Sequence, residues 1–137
     1  MNVKIDFLPE FMRLAKPLWK KYASFEKDYL LLLDELRSNP FVGTQLGDGV
    51  RKVRMTISSK GKGKSGGARV LTYSVNKESD DEIKVTLLSI YDKSKISNVS
   101  DDYISSLIKE MKKNLQRLQK SLVENPPLTA QIKYVNY

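Results

Sequence analysis

Three segments in the middle of the chain decide its fold: VRKVRMTI (Val50 to Ile57), ARVLTYSV (Ala68 to Val75) and IKVTLLSIY (Ile83 to Tyr91). Each has strand length and is rich in β-branched or aromatic residues, and turns carrying Gly or Asp separate them, so they read as three strands. Working toward the N-terminus, Gly43, Gly47 and Gly49 punctuate a loop. Before it, Tyr29, Leu32, Leu33 and Leu36 share one helical face, with Ser24 as N-cap and Asn39-Pro40 as terminator. Phe11, Leu14, Ala15, Leu18, Trp19 and Tyr22 also recur at helical spacing, with a kink expected at Pro17. Val3, Ile5 and Phe7 alternate with Asn2, Lys4 and Asp6 in a first strand that Pro9 stops. Toward the C-terminus, Ser100 caps a long helix whose stripe runs through Ile104, Leu107, Ile108, Met111, Leu115, Leu118 and Leu122 until Asn125-Pro126-Pro127 ends it. The expected architecture is α+β: a four-stranded, antiparallel-dominated sheet, an N-terminal helical hairpin on one face, and a long C-terminal helix over residues 100–123 that packs on the parent domain, with dimerisation or docking of a partner protein as the alternative use of its stripe. The other sheet face is expected to stay available. Residues 1–123 form one domain, and 124–137 form a tail that reads as an added strand or as a segment that orders on a partner.

With 137 residues and 40% apolar side chains, the chain has material for one core. Its formal net charge of +8 favours polyanionic partners. The absence of Cys excludes disulfides and thiolate chemistry; the absence of His removes the usual general base near neutral pH and the commonest metal ligand. No cofactor and no metal are therefore expected. The opening residues lack the apolar core of a signal peptide, and Tyr29 to Leu33 is too short an apolar cluster to span a bilayer. A soluble cytoplasmic protein without a membrane partner is the expectation.

Between Arg51 and Arg69 the cations Arg51, Lys52, Arg54, Lys60, Lys62, Lys64 and Arg69 stand without one acidic residue. On a strand, Lys52 and Arg54 share a face, and Arg69 returns on the next strand. Such a cluster suits a phosphodiester backbone, because Arg offers a planar fork and Lys a mobile point charge. A solvated basic hairpin is the bland alternative. The run Gly61 to Gly67 is not a nucleotide-binding P-loop: Ser58 stands where a Gly is needed, and a strand follows in place of a helix. It reads as a flexible basic loop whose Gly residues allow close approach to RNA. Glu26, Asp28, Asp34 and Glu35 are placed on the solvent side of the hairpin, with no paired-acid logic.

The stretch Arg51-Lys52-Val53-Arg54, then Gly63 through Tyr73, and later Ile90-Tyr91-Asp92-Lys93, resembles the RelE/ParE superfamily of toxins from type II toxin–antitoxin modules, in its HigB-like branch. The resemblance covers roughly residues 1–102; the long last helix and tail extend beyond the usual compact form. It implies a ribosome-dependent mRNA endoribonuclease that activates the ribose 2′-hydroxyl against the neighbouring phosphate without a metal. The implied partners are mRNA, the rRNA of the ribosomal decoding site, and a cognate helix-turn-helix antitoxin, the protein that would dock on the last helix in that alternative use. By that likeness Arg54 and Arg69 hold the scissile phosphate, each worth roughly 3 kcal/mol in the transition state. Tyr91 and Lys93 occupy the family's positions for base stacking and proton transfer, while Arg51, Lys52, Lys60, Lys62 and Lys64 contact RNA. With no His, the general-base candidates are a Lys with a lowered pKa, or Tyr91 made more acidic by nearby cations.

Alternatives stand beside these assignments. Tyr91 shares the alternating face of Ile83, Val85, Leu87 and Ser89, so a core or sheet-face role is open. Tyr73 and Trp19 read as structural. ParE-like proteins of the same fold poison DNA gyrase without cutting RNA, and a catalytically dead RNA-binding module is a third reading; fold alone does not choose among them.

Overall fold

The computed structural model describes residues 2–61, 63–77 and 81–124. Strand β1 (Asn2–Phe7) leads into helices α1 (Pro9–Lys21) and α2 (Phe25–Ser38). Strands β2 (Thr44–Gly47), β3 (Val50–Met55), β4 (Ala68–Lys77) and β5 (Glu82–Asp92) follow, and helix α3 (Asp101–Glu124) ends the described chain. The class is α+β as expected, but the sheet has five strands in the order β1-β5-β4-β3-β2. The fifth is β2, read from the sequence as loop. It pairs antiparallel with β3 through Thr44↔Lys52 and Gln45↔Arg51. Four residues with Gly at the end carry too little apolar alternation to register as a strand. The sheet is mixed, because β1 lies parallel to β5 from Asn2↔Glu82 to Phe7↔Leu87.

Side-chain alternation sends two apolar sets to opposite faces. On one face Phe11, Ala15, Phe25, Leu32 and Leu36 of the helical hairpin cover Val53, Val70, Val85, Leu87 and Ile90. Pro17 sits inside α1 without ending it, and Trp19 leans on Phe25 and Tyr29 at the rim of this core, 38% exposed. The second face, expected to be free, is partly covered: Ile104, Leu107 and Met111 of α3 pack with Val50, Leu71, Leu88 and Tyr91. Burying each such side chain stabilises by about 1.5–3 kcal/mol before entropy is counted. The Ser100 Oγ accepts the Tyr103 N–H at 3.1 Å, which fixes the start of α3 where the sequence placed it. Farther along, Leu115, Leu118 and Leu122 are 39–53% exposed, so the apolar stripe outruns the domain it packs on. Among the described residues no helix is long and apolar enough to cross a membrane. Tail residues 125–137 lie outside the described residues.

The β4–β5 register shifts between Leu71 and Thr72, where Leu71 faces Ser89 but Thr72 faces Leu87. Leu88 is the extra residue of this β-bulge, and it inverts the alternation of everything after it. Ile83, Val85 and Leu87 therefore face the helical hairpin, whereas Leu88 and Tyr91 face α3. The expectation that Tyr91 shares a face with Ile83, Val85 and Leu87 is corrected by that single insertion.

Candidate nucleic-acid interface

The bulge puts Tyr91 in register with the strand arginines. Arg54 pairs with Arg69 across β3 and β4, and Arg69 pairs with Tyr91 across β4 and β5. Directly opposed residues in antiparallel strands have Cα atoms about 4.5–5.5 Å apart and side chains on one face. Two guanidinium groups and a phenol thus form one cross-strand rung. Like charges directly opposed are destabilising. Among the described residues neither Arg54 nor Arg69 has a carboxylate partner.

The three members differ in exposure. Arg54 is exposed, whereas Arg69 is 4% exposed and Tyr91 6%. The Arg69 guanidinium donates to the carbonyls of Lys64 (2.9 Å), Ala68 (3.2 Å) and Ser65 (3.2 Å), so its fork braces the loop before β4. Burial first, then the Arg54 charge, lowers the Arg69 pKa from its ordinary value. The buried Tyr91 hydroxyl has no hydrogen-bond partner, a cost of about 1–3 kcal/mol. Its pKa is raised by burial, which outweighs the opposing pull of Arg69. The expectation that neighbouring cations make Tyr91 more acidic is thereby reversed, and its phenol stays protonated at neutral pH.

The remaining cations scatter. Lys52, half-buried, lies two residues before Arg54 on the same face of β3. Lys93 extends the β4–β5 ladder, its N–H donating to the Gly67 carbonyl at 3.1 Å and its Nζ to the Ser97 carbonyl at 3.1 Å. Arg51 points to the other face and stacks over Phe41, 5.1 Å from the ring centroid. Lys64 faces Glu35 of α2 at 3.4 Å. Lys62 lies outside the described residues. Lys60, expected to contact RNA, is corrected: its Nζ lies 2.7 Å from the Asp92 Oδ1 with side-chain exposures of 8% and 3%, and 5.4 Å from the centre of the Tyr22 ring. Tertiary structure brings acids to a segment that has none of its own, and the cation cluster divides accordingly.

The same acids anchor the basic loop. Asp28, assigned to the solvent side by periodicity, is 3% exposed. It accepts the Ser58 N–H (2.8 Å), the Ser58 Oγ–H (2.6 Å) and the Ser24 Oγ–H (2.7 Å). Asp92 accepts from Lys60 (2.7 Å), from the Tyr22 hydroxyl (2.7 Å), and from the Ser94 hydroxyl (2.7 Å) and N–H (3.0 Å). Start and finish of the Ser58–Lys60 turn are pinned to α2 and to the end of β5, so this part of the loop is a fixed platform. Gly67 closes it: a Cβ there would collide with the backbone carbonyl of Met55. Gly67→Ala is expected to cost at least about 2 kcal/mol, as forced backbone displacement does; a chemical denaturation midpoint equal to that of the parent would contradict this packing.

Burial alone would raise both carboxyls, but donated hydrogen bonds outweigh it. Ser58 and Ser24 lower Asp28, and Lys60, Ser94 and Tyr22 hold Asp92 well below the usual carboxylate range. Both groups bind protons more weakly in the folded state than in the unfolded chain, where an Asp titrates near pH 3.9. Their contribution is full above that value and disappears as pH falls through the lower folded pKa values. Stability measured by urea titration is expected to fall steadily from about pH 5 downward, and Asp28→Asn should flatten that slope; an unchanged slope would count against the anchor. No protein-family model matches the chain.

Proposed function

We propose that this protein is a ribosome-dependent mRNA endoribonuclease, the toxin of a type II toxin–antitoxin module in the HigB-like branch of the RelE/ParE superfamily. The observation that carries the reading is the Arg54–Arg69–Tyr91 rung, two opposed guanidiniums without a carboxylate partner among the described residues. A phosphate beside them would relieve their repulsion and accept the free fork of Arg54, with Arg69 contributing its charge from behind the loop. In the reaction, the ribose 2′-oxygen attacks phosphorus, the bond from phosphorus to the 5′-oxygen breaks, and a 2′,3′-cyclic phosphate and a 5′-hydroxyl result. The 2′-hydroxyl gives up one proton and the leaving 5′-oxygen takes one. Arg54 and Arg69 would stabilise the extra charge on the non-bridging oxygens, and Lys93, two residues past Tyr91, would exchange protons. No step requires a metal or an organic cofactor. An antitoxin that shields this face is part of the proposal.

The gyrase-poisoning reading is favoured by a separate observation: α3 covers Tyr91, and Arg69 spends its fork on backbone carbonyls. Mapping RNA 5′ ends after brief induction without antitoxin separates the two. New translation-dependent ends in the parent that vanish in Arg54→Ala support cleavage. Growth arrest with intact message and inhibited gyrase would replace it.

A further inference from the structure

Helix α3 carries one apolar stripe, and its own domain covers only the first half of it. Ile104, Ile108, Met111, Leu115, Leu118 and Leu122 follow one another at alternating spacings of four and three, the seam of a heptad repeat. Ile104 and Met111 are buried against the sheet and Ile108 packs beside them, whereas Leu115, Leu118 and Leu122 are exposed. Between Leu115 and Leu118 on the helix and Phe7, Tyr73 and Val75 on the sheet lies a groove of about 190 Å³. Phe7 is 49% and Val75 39% exposed, so the sheet adds apolar surface of its own. The groove is smaller than the roughly 300–1,000 Å³ of small-molecule sites, a size that suits an inserted side chain.

Charge keeps away from this surface, in a chain whose net charge is +8. The heptad positions that flank the exposed seam hold Asn114, Gln119 and Ser121, all neutral, and Lys112. Of the cations farther round the helix, Arg117 faces Glu110 at 3.8 Å and Lys120 faces Glu124 at 3.9 Å. In the groove, Lys84 and Asp6 close on each other at 3.1 Å. An acidic partner would therefore find few free cations beside the seam, whereas a second copy of this basic chain meets no like charge there. In an antiparallel pair with Leu115 against Leu118 of the second copy, Lys112 falls beside Gln119 and Asn114 beside Ser121.

We propose that two copies of this chain associate through the outer half of α3, the helices packed antiparallel about a two-fold axis, with Leu122 of each copy seated in the groove of the other. A two-fold contact uses the same patch twice, so a surface without like-charge conflict against itself is what it needs. The antiparallel sense follows from what is free: the sheet occupies the stripe up to Met111, and reversed helices set the two domains at opposite ends of the open stretch. The exposed parts of Phe7, Val75, Leu115, Leu118 and Leu122 come to roughly 400 Å² per copy, which with the polar flanks reaches the roughly 600 Å² per partner at which stable complexes begin. Association in the micromolar range is expected from a contact of that size. Thr86 lines the groove and Tyr91 belongs to the cross-strand rung, about 17 Å farther along β5, so the contact leaves Arg54 open and stands whether or not the chain cuts RNA.

The test is sedimentation of the full-length chain from about 1 µM to about 200 µM, where a monomer–dimer equilibrium is expected. Leu118→Glu combined with Leu122→Glu should weaken association at least about a hundredfold. Both side chains are exposed, and circular dichroism of the double variant checks its fold. The change adds acids to a basic chain, so the weakening cannot come from added repulsion between copies. The sequence has no Cys, which lets introduced thiols report the contact without background. Oxidation of an equal mixture of Lys112→Cys and Gln119→Cys chains should yield the mixed disulfide in excess over either self-linked product. A parent that stays monomeric throughout, whether its stripe is bare or covered by residues 125–137, would overturn the proposal. So would a double variant that dimerises as the parent does, or self-linked products that predominate.

Discussion

Arg54→Ala is expected to reduce mRNA cleavage on programmed ribosomes by about 10²–10³-fold, the usual loss when one preorganised donor to a developing oxyanion is removed. Its thermal midpoint should stay within a few degrees of the parent, because Arg54 is exposed and makes no hydrogen bond or ion pair among those described. Removing it even relieves repulsion with Arg69 across the strands. Arg69→Ala should lose at least as much activity, but it is not a clean probe. Its guanidinium holds the carbonyls of Lys64, Ser65 and Ala68, so this change also frees the loop and is expected to cost about 1–3 kcal/mol of stability. Arg69→Lys keeps the charge and loses the fork; partial stability with little activity is the expected pattern. Full cleavage by Arg54→Ala, assayed with ribosomes and mapped 5′ ends, would remove the rung from the mechanism.

The largest expected effect on stability comes from Asp92→Asn. The carboxylate collects four hydrogen bonds and neutralises a Lys60 ammonium that is almost entirely buried. Stripping one member from a buried ion pair costs about 3–5 kcal/mol, chiefly because the other charge is left without compensation. For a chain of this size that corresponds to a fall in thermal midpoint of the order of 10 °C. The origin of the effect is checked by a second change: Lys60→Met in the Asp92→Asn background should recover part of the loss, since the stranded charge is then gone. A double variant less stable than Asp92→Asn alone would mean that the ion pair is not the source. Asp92 adjoins both Tyr91 and Lys93, so Asp92→Asn is also expected to lower cleavage through the placement of its neighbours.

Much of the architecture was legible in the chain itself. The hydrophobic periods of 2 and 3.6 located β1, both N-terminal helices, the three long strands and α3, and Ser100 marked the start of α3 to the residue. These signals are local, carried by neighbours a few positions apart, and tertiary packing here reinforced them. That Arg54 and Arg69 lie on neighbouring strands also follows from strand order, whereas their direct pairing is set by the β3–β4 register.

Other features depend on residues far apart in sequence. Thr44–Gly47 becomes a strand because β3 offers it an edge, whatever its own propensity. The Leu88 bulge exists only relative to β4, and it moves Tyr91 from the hairpin face to the face that carries Arg54 and Arg69. The basic segment looked free of counter-charge because its acids, Asp28, Glu35 and Asp92, lie some 30 positions away and meet it only after the helices dock on the sheet. Periodicity and composition thus determined which elements form, and the docking of those elements decided which cations stay available, because charge compensation depends on distance in space and not along the chain.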